Sequence, residues 1–132
     1  PASSWPTGGY NSFIPLMYIY VLDILALYVD VYAICNICCV DEEDEFHAVL
    51  ECTKSRALRE ALRKVWDLPP EVAFCRTGPD WLQMLLCPET EEVRARILMM
   101  LWRSWHLRDD IVHGNGRETI TKSVMFLLQY FF

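Results

Sequence analysis

Basic residues are missing from the whole first part of this chain. The first Lys or Arg is Lys54, so residues 1–53 carry eight acidic groups and no basic one. Residues 54–132 carry twelve basic and ten acidic groups, and the net charge of the 132 residues is −6. This distribution excludes a uniformly basic nucleic-acid-binding protein, although it leaves room for a local basic surface.

The lack of basic residues before Lys54 also bears on whether the chain has a secretory signal or a membrane-spanning helix. No positively charged stretch precedes the apolar residues 13–34, so we expect no secretory signal and an intracellular location, nuclear or cytoplasmic. Asp23 lies in the middle of this segment, where a charge costs ~2.5–3.5 kcal/mol on insertion into a bilayer. No basic residue flanks the segment to orient it in a membrane. We therefore expect a buried helix, with a strand as the alternative, behind a loose leader at 1–12.

Glycine is also scarce, with only five in the chain, and none of them forms a Gly-rich loop that could hold phosphate. The stretch "HGNG" follows a predicted helix and does not open one. Ser104 and Ser123 have no evident base and orienting group beside them, so nucleophilic catalysis has no support. We predict that the chain is not an enzyme and has no catalytic residues.

What the chain does contain is helical periodicity, which predicts a mainly α domain of four or five helices. The first clear helix covers residues 54–66 and places Leu58, Leu62, Val65 and Trp66 on one face. A proline-rich connection follows at 67–79. A short helix at 80–87 is expected to be capped by Asp80. Two further helices are predicted, a long one from Pro88 or Thr90 to Gly114, which would be a left-handed C-cap, and a last one at about 119–131.

The long helix has an unusual middle. Residues 97–102, "ILMMLW", are apolar on every side of the helix, which predicts that this part is covered all round. The remaining core face is expected to include Val93 and Ile111. In the last helix, Ile120, Val124 and Leu128 belong to one apolar stripe.

Four of the six cysteines lie in residues 35–52, with the spacing Cys35-x2-Cys38-x8-His47-x4-Cys52. Three thiolates and one imidazole form a closed tetrahedral set, which is the composition of structural zinc sites. The alternatives are a disulfide cluster, which leaves His47 unexplained, and a crowd of buried thiols. The sequence favours zinc as the cofactor, and Cys39 competes with Cys38 as a ligand.

The predicted helix after this cluster carries Arg56, Arg59, Arg63 and Lys64 on the face opposite its leucines. Such a face beside a zinc knuckle suits the phosphate backbone of RNA or DNA. The alternative is an ordinary solvated helix surface. Both possibilities stay open at the level of sequence.

A second group of polar residues, His106, Asp109, Asp110 and His113, recurs at helical spacing near the end of the long helix. This spacing could hold a second metal ion. Polar residues near a helix end are more often surface or capping groups, and we favour that interpretation.

Taken in order, two stretches resemble the zinc-binding region of plant non-LTR (LINE-type) retrotransposon reverse transcriptases. The first is the Cys-x2-Cys, acidic loop and His-x4-Cys arrangement with its following helix. The second is residues 101–131, similar to the segment that leads into a ribonuclease H domain. The matching residues there are Trp102, Trp105, Arg108, His113 and Gly114, whereas Asp109 stands where that family usually has Asn.

The resemblance covers residues 35–131, and we divide the chain into three segments, namely 1–34, a leader and apolar segment of uncertain status, 35–66 as zinc knuckle plus helix, and 67–132 as a helical region. It implies a non-catalytic zinc-binding module that contacts nucleic acid, in a longer parent chain with a polymerase or a ribonuclease H domain. The alternatives are a structural or protein-interaction domain with a purely structural zinc, and a degenerate retroelement fragment.

Overall fold

The structure is a computed structural model that describes residues 46–129, apart from the side chains of residues 48, 112 and 113. A π-helical turn at His47–Glu51, here called the π-turn, leads into helix α1 at Thr53–Arg63. A 3-10 turn follows at Glu71–Ala73, and then come α2 at Trp81–Leu86, α3 at Glu91–His113 and α4 at Ile120–Leu128. The described residues contain no strand, so the prediction of a mainly helical fold is confirmed for them.

Helix α3 is the longest element, and 23 residues give it a length of about 34 Å. It begins where the sequence predicts, because the Thr90 hydroxyl accepts a hydrogen bond from the Val93 N–H at 3.3 Å. Glu91 and Glu92 occupy its first turn, where negative charge suits the positive end of the helix. All six residues from Ile97 to Trp102 are buried, which confirms that the middle of α3 is covered on every side.

The core joins all the described helices into one body. Helix α1 contacts the π-turn, α3 and α4, and α3 also contacts the π-turn and α4. The fully buried residues include Leu50 of the π-turn, Leu58 and Leu62 of α1, and Leu127 of α4. Segments 35–66 and 67–132 therefore contribute to the same apolar cluster.

Two arginines of α3 connect this helix to its neighbours by hydrogen bonds. Arg94 of α3 donates to the carbonyls of Leu86 and Cys87, at 2.8 and 2.7 Å, and so satisfies the end of α2. Arg103 of α3 is buried and donates to Ser123 of α4 at 2.9 Å. These bonds fix α2 and α4 against the long helix.

Three details differ from the sequence predictions. Helix α1 stops at Arg63, so Val65 leaves the leucine face and is 54% exposed. Asp80 makes no capping hydrogen bond through its side chain, and its ψ of 21° is outside the extended region that capping residues prefer. Gly114 has an extended backbone with φ −107°, and the left-handed residue is Gly116, with φ 69°.

No helix within residues 46–129 is long and apolar enough to cross a membrane. The predicted apolar segment at 13–34 lies outside the described residues, as does the loose leader.

Candidate metal ligands beside an arginine-lined cleft

Two of the four predicted zinc ligands, His47 and Cys52, lie at the two ends of the π-turn. The Cys52 N–H donates to the His47 carbonyl at 2.8 Å, which closes a five-residue turn and brings the two backbones together. Both side chains are buried, each 1% exposed. Short π-helical segments are often found at functional sites.

Cys52 also precedes the first residue of α1, with the extended backbone of an N-cap residue. Cysteine binds metal as the thiolate. On the other side of the turn, Nδ1 of His47 lies 3.8 Å from Oε1 of Glu51. This separation is too long for a hydrogen bond.

The other two predicted ligands, Cys35 and Cys38, and their neighbour Cys39 lie outside the described residues. Within residues 46–129, no cluster of three or more Cys, His, Asp and Glu residues is placed to hold a metal ion. The complete zinc site therefore stays a prediction. The two other described cysteines, Cys75 and Cys87, are exposed free thiols.

The predicted basic face divides into two parts. Arg56 and Lys64 are exposed, as expected. Arg59 is instead 3% exposed, and Arg63 is half-buried. Both of these arginines reach Glu71 in the 3-10 turn, which lies in the proline-rich connection.

We call Arg59, Arg63 and Glu71 the arginine clamp. Nε of Arg59 donates to both carboxylate oxygens of Glu71 at 3.0 Å, and its Nη2 donates to Oε1 at 2.5 Å. Arg63 donates through Nη2 to Oε2 at 2.7 Å, and through Nη1 to the Pro69 carbonyl. The hydrogen bond from Arg59 is the main reason why the pKa of the Glu71 carboxyl is lowered.

Arg59 also ties the clamp to the metal-ligand turn, because its Nη1 donates to the Leu50 carbonyl at 2.9 Å. Its guanidinium lies over the ring of Phe74, 5.1 Å from the centroid. One buried arginine thus links the π-turn, α1 and the 3-10 turn. Glu71 gave no local sign of this role in the sequence, because the contact spans twelve residues.

An open cleft of about 450 Å³ lies beside the clamp, between the π-turn, α1 and residues 74–76. Its wall includes Glu51, Arg56, Arg59, Glu71, Cys75 and Arg76. The guanidinium of Arg76 lies over the Phe46 ring, 4.5 Å from the centroid. Arg76 was not among the predicted site residues, because it follows an irregular segment with no periodic pattern.

The second group of polar residues lies near the end of α3, and the contacts of Asp110 and His106 in it are structural. The Asp110 carbonyl accepts from the N–H groups of Gly114 and Gly116 at 2.9 and 3.2 Å, and its carboxylate accepts from the Glu118 N–H at 3.0 Å. His106 stacks on Trp102 with ring centroids 5.8 Å apart. Asp110 is thus a capping group, as the sequence favours, and the side chain of His113 is not among those that the structure describes.

Comparison with known proteins finds no relative of this chain. No family model, no curated protein and no solved structure matches the chain. The resemblance to the LINE zinc region rests on the spacing and order of the residues quoted from the sequence, and it stays a hypothesis.

Proposed function

We propose that this chain is a non-catalytic zinc-binding module of a retrotransposon-derived, reverse transcriptase-like protein, and that it contacts nucleic acid through α1. The observation that carries the proposal is the buried pairing of His47 and Cys52 across the π-turn. Cys35 and Cys38 would complete the ligand set. The basic helix starts at the residue after Cys52, so zinc binding would fix the start of that helix.

The donor chemistry of the pair supports zinc. A thiolate and a neutral imidazole are common zinc ligands, and a set of three sulfurs and one nitrogen leaves no position open for a catalytic water. When bound, the zinc would supply folding energy and no chemical step.

The nucleic-acid part of the proposal rests on the exposed residues Arg56 and Lys64. Arg56 is in α1 and Lys64 is the residue that follows it, and a phosphate backbone needs accessible cations of this kind. Arg59 and Arg63 are less available to a phosphate, because both make ion pairs with Glu71.

That clamp also favours a second candidate function, a structural or protein-interaction domain whose zinc only organises the fold. Half of the predicted basic face makes internal ion pairs with Glu71. Arginines that make internal ion pairs do not need nucleic acid to explain their presence on α1.

Metal analysis of the purified full chain tests the zinc part. We expect one zinc per chain, lost in Cys52→Ser and retained in the matched control Cys87→Ser, whose thiol is exposed. Absence of zinc from the unaltered chain, together with a disulfide between Cys35 and Cys38, would contradict the proposal.

Fluorescence anisotropy with a labelled single-stranded oligonucleotide tests the nucleic-acid part. The double variant Arg56→Glu with Lys64→Glu should bind more weakly, and the salt dependence should fall by about one unit of log-log slope per lost phosphate contact. Arg117→Glu, an exposed loop residue, is the control. If the zinc-loaded chain binds no oligonucleotide at low salt, the second candidate is favoured.

A further inference from the structure

The cleft beside the clamp contains a mixture of charges that the zinc proposal does not use. Three arginines, Arg56, Arg59 and Arg76, line it, and the carboxylates of Glu51 and Glu71 line it as well. Among the described residues of the wall, the excess is therefore one positive charge. A cavity of about 450 Å³ is large enough for a phosphate group with its attached sugar.

The two carboxylates differ in how much of this positive charge they neutralise. Glu71 is held by Arg59 and Arg63 through short hydrogen bonds. Glu51 contacts Nη2 of Arg76 at 3.8 Å, a long contact between two side chains that are each close to half exposed. Exposed pairs of this kind are weak, so a phosphate oxygen could displace the Glu51 carboxylate from Arg76.

Two features hold the cationic wall in place before any ligand binds. The clamp fixes Arg59 by bonds to Glu71 and to the Leu50 carbonyl. Arg76 lies over the face of Phe46, which is itself buried and packs edge-to-face against Trp81 at 5.1 Å. An arginine positioned in this way gives phosphate two parallel N–H donors at a low entropic cost.

We propose that this cleft is the binding site for a backbone phosphate of single-stranded nucleic acid, held between Arg56 of α1 and Arg76 of the following connection. The inference rests on the proposed function, since it names where the strand lies. It adds Arg76 as a contact and places the strand beside both the metal-ligand turn and the arginine clamp. Binding would thereby couple to the segment that carries His47 and Cys52.

Cys75 provides a direct readout, because it is an exposed thiol in the wall of the cleft. Cys87 is an exposed thiol that does not line the cleft, so it is an internal control. The zinc-loaded full chain is treated with N-ethylmaleimide, and mass spectrometry of the resulting peptides follows each cysteine separately. A saturating single-stranded oligonucleotide should slow alkylation of Cys75 at least about fivefold and leave Cys87 unchanged, as expected for a ligand that covers only the cleft.

Variants of Arg76 test the assignment of the contact. Arg76→Gln should weaken oligonucleotide binding by about three- to tenfold and remove the protection of Cys75, whereas Arg117→Gln should do neither. Arg76→Lys retains the charge without the planar group and should fall between these two. Circular dichroism of each variant checks that the helices are intact.

The outcomes separate the two proposals. Oligonucleotide binding that depends on Lys64 but leaves Cys75 unprotected would overturn the cleft and retain nucleic-acid contact through α1. Protection of Cys75 by inorganic phosphate alone, with no effect of the oligonucleotide, would overturn the assignment to nucleic acid. A zinc-loaded chain that binds no oligonucleotide overturns both, while its metal content still supports the zinc module.

Discussion

The buried guanidinium of Arg59 lies against the carboxylate of Glu71, whose own side chain is 60% exposed. Three hydrogen bonds join the two groups, and a fourth connects Arg59 to the Leu50 carbonyl. A charge inside the protein is therefore balanced by a carboxylate at its edge. Since Arg59 is in α1 and Glu71 is in the connection that follows, the pair closes the loop between them, together with the bonds from Arg63 to Pro69 and Glu71.

Glu71→Gln should destabilise the protein by about 1–2 kcal/mol, because it leaves the buried charge of Arg59 without an ionised partner. The exposure of Glu71 keeps the expected loss below that of a fully buried pair. The midpoint of urea unfolding measures the change, with Glu60→Gln on the exposed side of α1 as the control. Equal midpoints for the two variants would contradict the role assigned to the clamp.

The clamp also predicts a dependence on pH. The pKa of Glu71 is lowered in the folded state, chiefly by the hydrogen bond from Arg59. Its contribution is therefore complete above the unfolded-state pKa of about 4.3 and is lost as the pH falls through the lowered folded-state value. The stability difference between the unaltered chain and Glu71→Gln should shrink between pH 5 and about pH 3. A difference that stays constant over this range would mean that charge is not the cause.

The helices were predictable because their causes are local. Thr90 and the two glutamates after it mark the start of α3, and the apolar run at 97–102 indicates that its middle is buried. The predicted short helix at 80–87 is found at Trp81–Leu86, and the predicted last helix begins at Ile120. Capping, propensity and periodicity all act within a few residues of the position they determine.

The arrangement of the site was less predictable because it depends on contacts between distant residues. Arg59 belongs to the polar face by spacing, yet it is buried because Glu71 arrives from the next connection. The π-turn at His47–Glu51 has no simple periodic pattern, and Gly114 and Gly116 are close enough in sequence for the left-handed residue to be misassigned. Only the fold determines which arginine is covered and which one remains accessible.

The lowered pKa of His106 predicts a second dependence of stability on pH, in a different pH range. Burial beside Trp102 is the main reason why its pKa is lowered, and the neighbouring charge of Arg103 lowers it further, while Glu118, Asp110 and Asp109 act in the opposite direction. The unfolded chain then binds a proton more readily, so stability should fall as the pH drops below about 6.5 and level off below the folded-state pKa. His106→Gln should flatten this part of the profile. Thermal unfolding at matched zinc concentration measures it, and an unchanged slope would contradict the assignment.

The loop between α3 and α4 allows two glycines to be compared. Gly116 has φ 69°, and an added Cβ there meets no described atom within 4 Å. Gly116→Ala should therefore cost about 1–2 kcal/mol through backbone strain, and Gly116→Asn should cost less because Asn tolerates the left-handed region. At Gly114 an added Cβ would lie 2.6 Å from Oδ1 of Asp110 and 2.8 Å from its carbonyl oxygen. At Gly114, Asn should therefore destabilise the protein as much as Ala does. Thermal unfolding measures both pairs of variants. Equal losses of stability for Asn and Ala at Gly116 would contradict the argument from φ.

The covered middle of α3 has a consequence for hydrogen exchange. Residues 97–102 have no side that faces solvent, so their amide protons can meet water only when the surrounding elements separate. Their exchange with deuterium should then proceed through global opening, and its rate should report the free energy of unfolding of the whole body. Amides near the ends of α1 and α4 should exchange sooner, by local fraying. Measured with zinc and again after its removal, these six amides would report how much of the total stability the metal supplies.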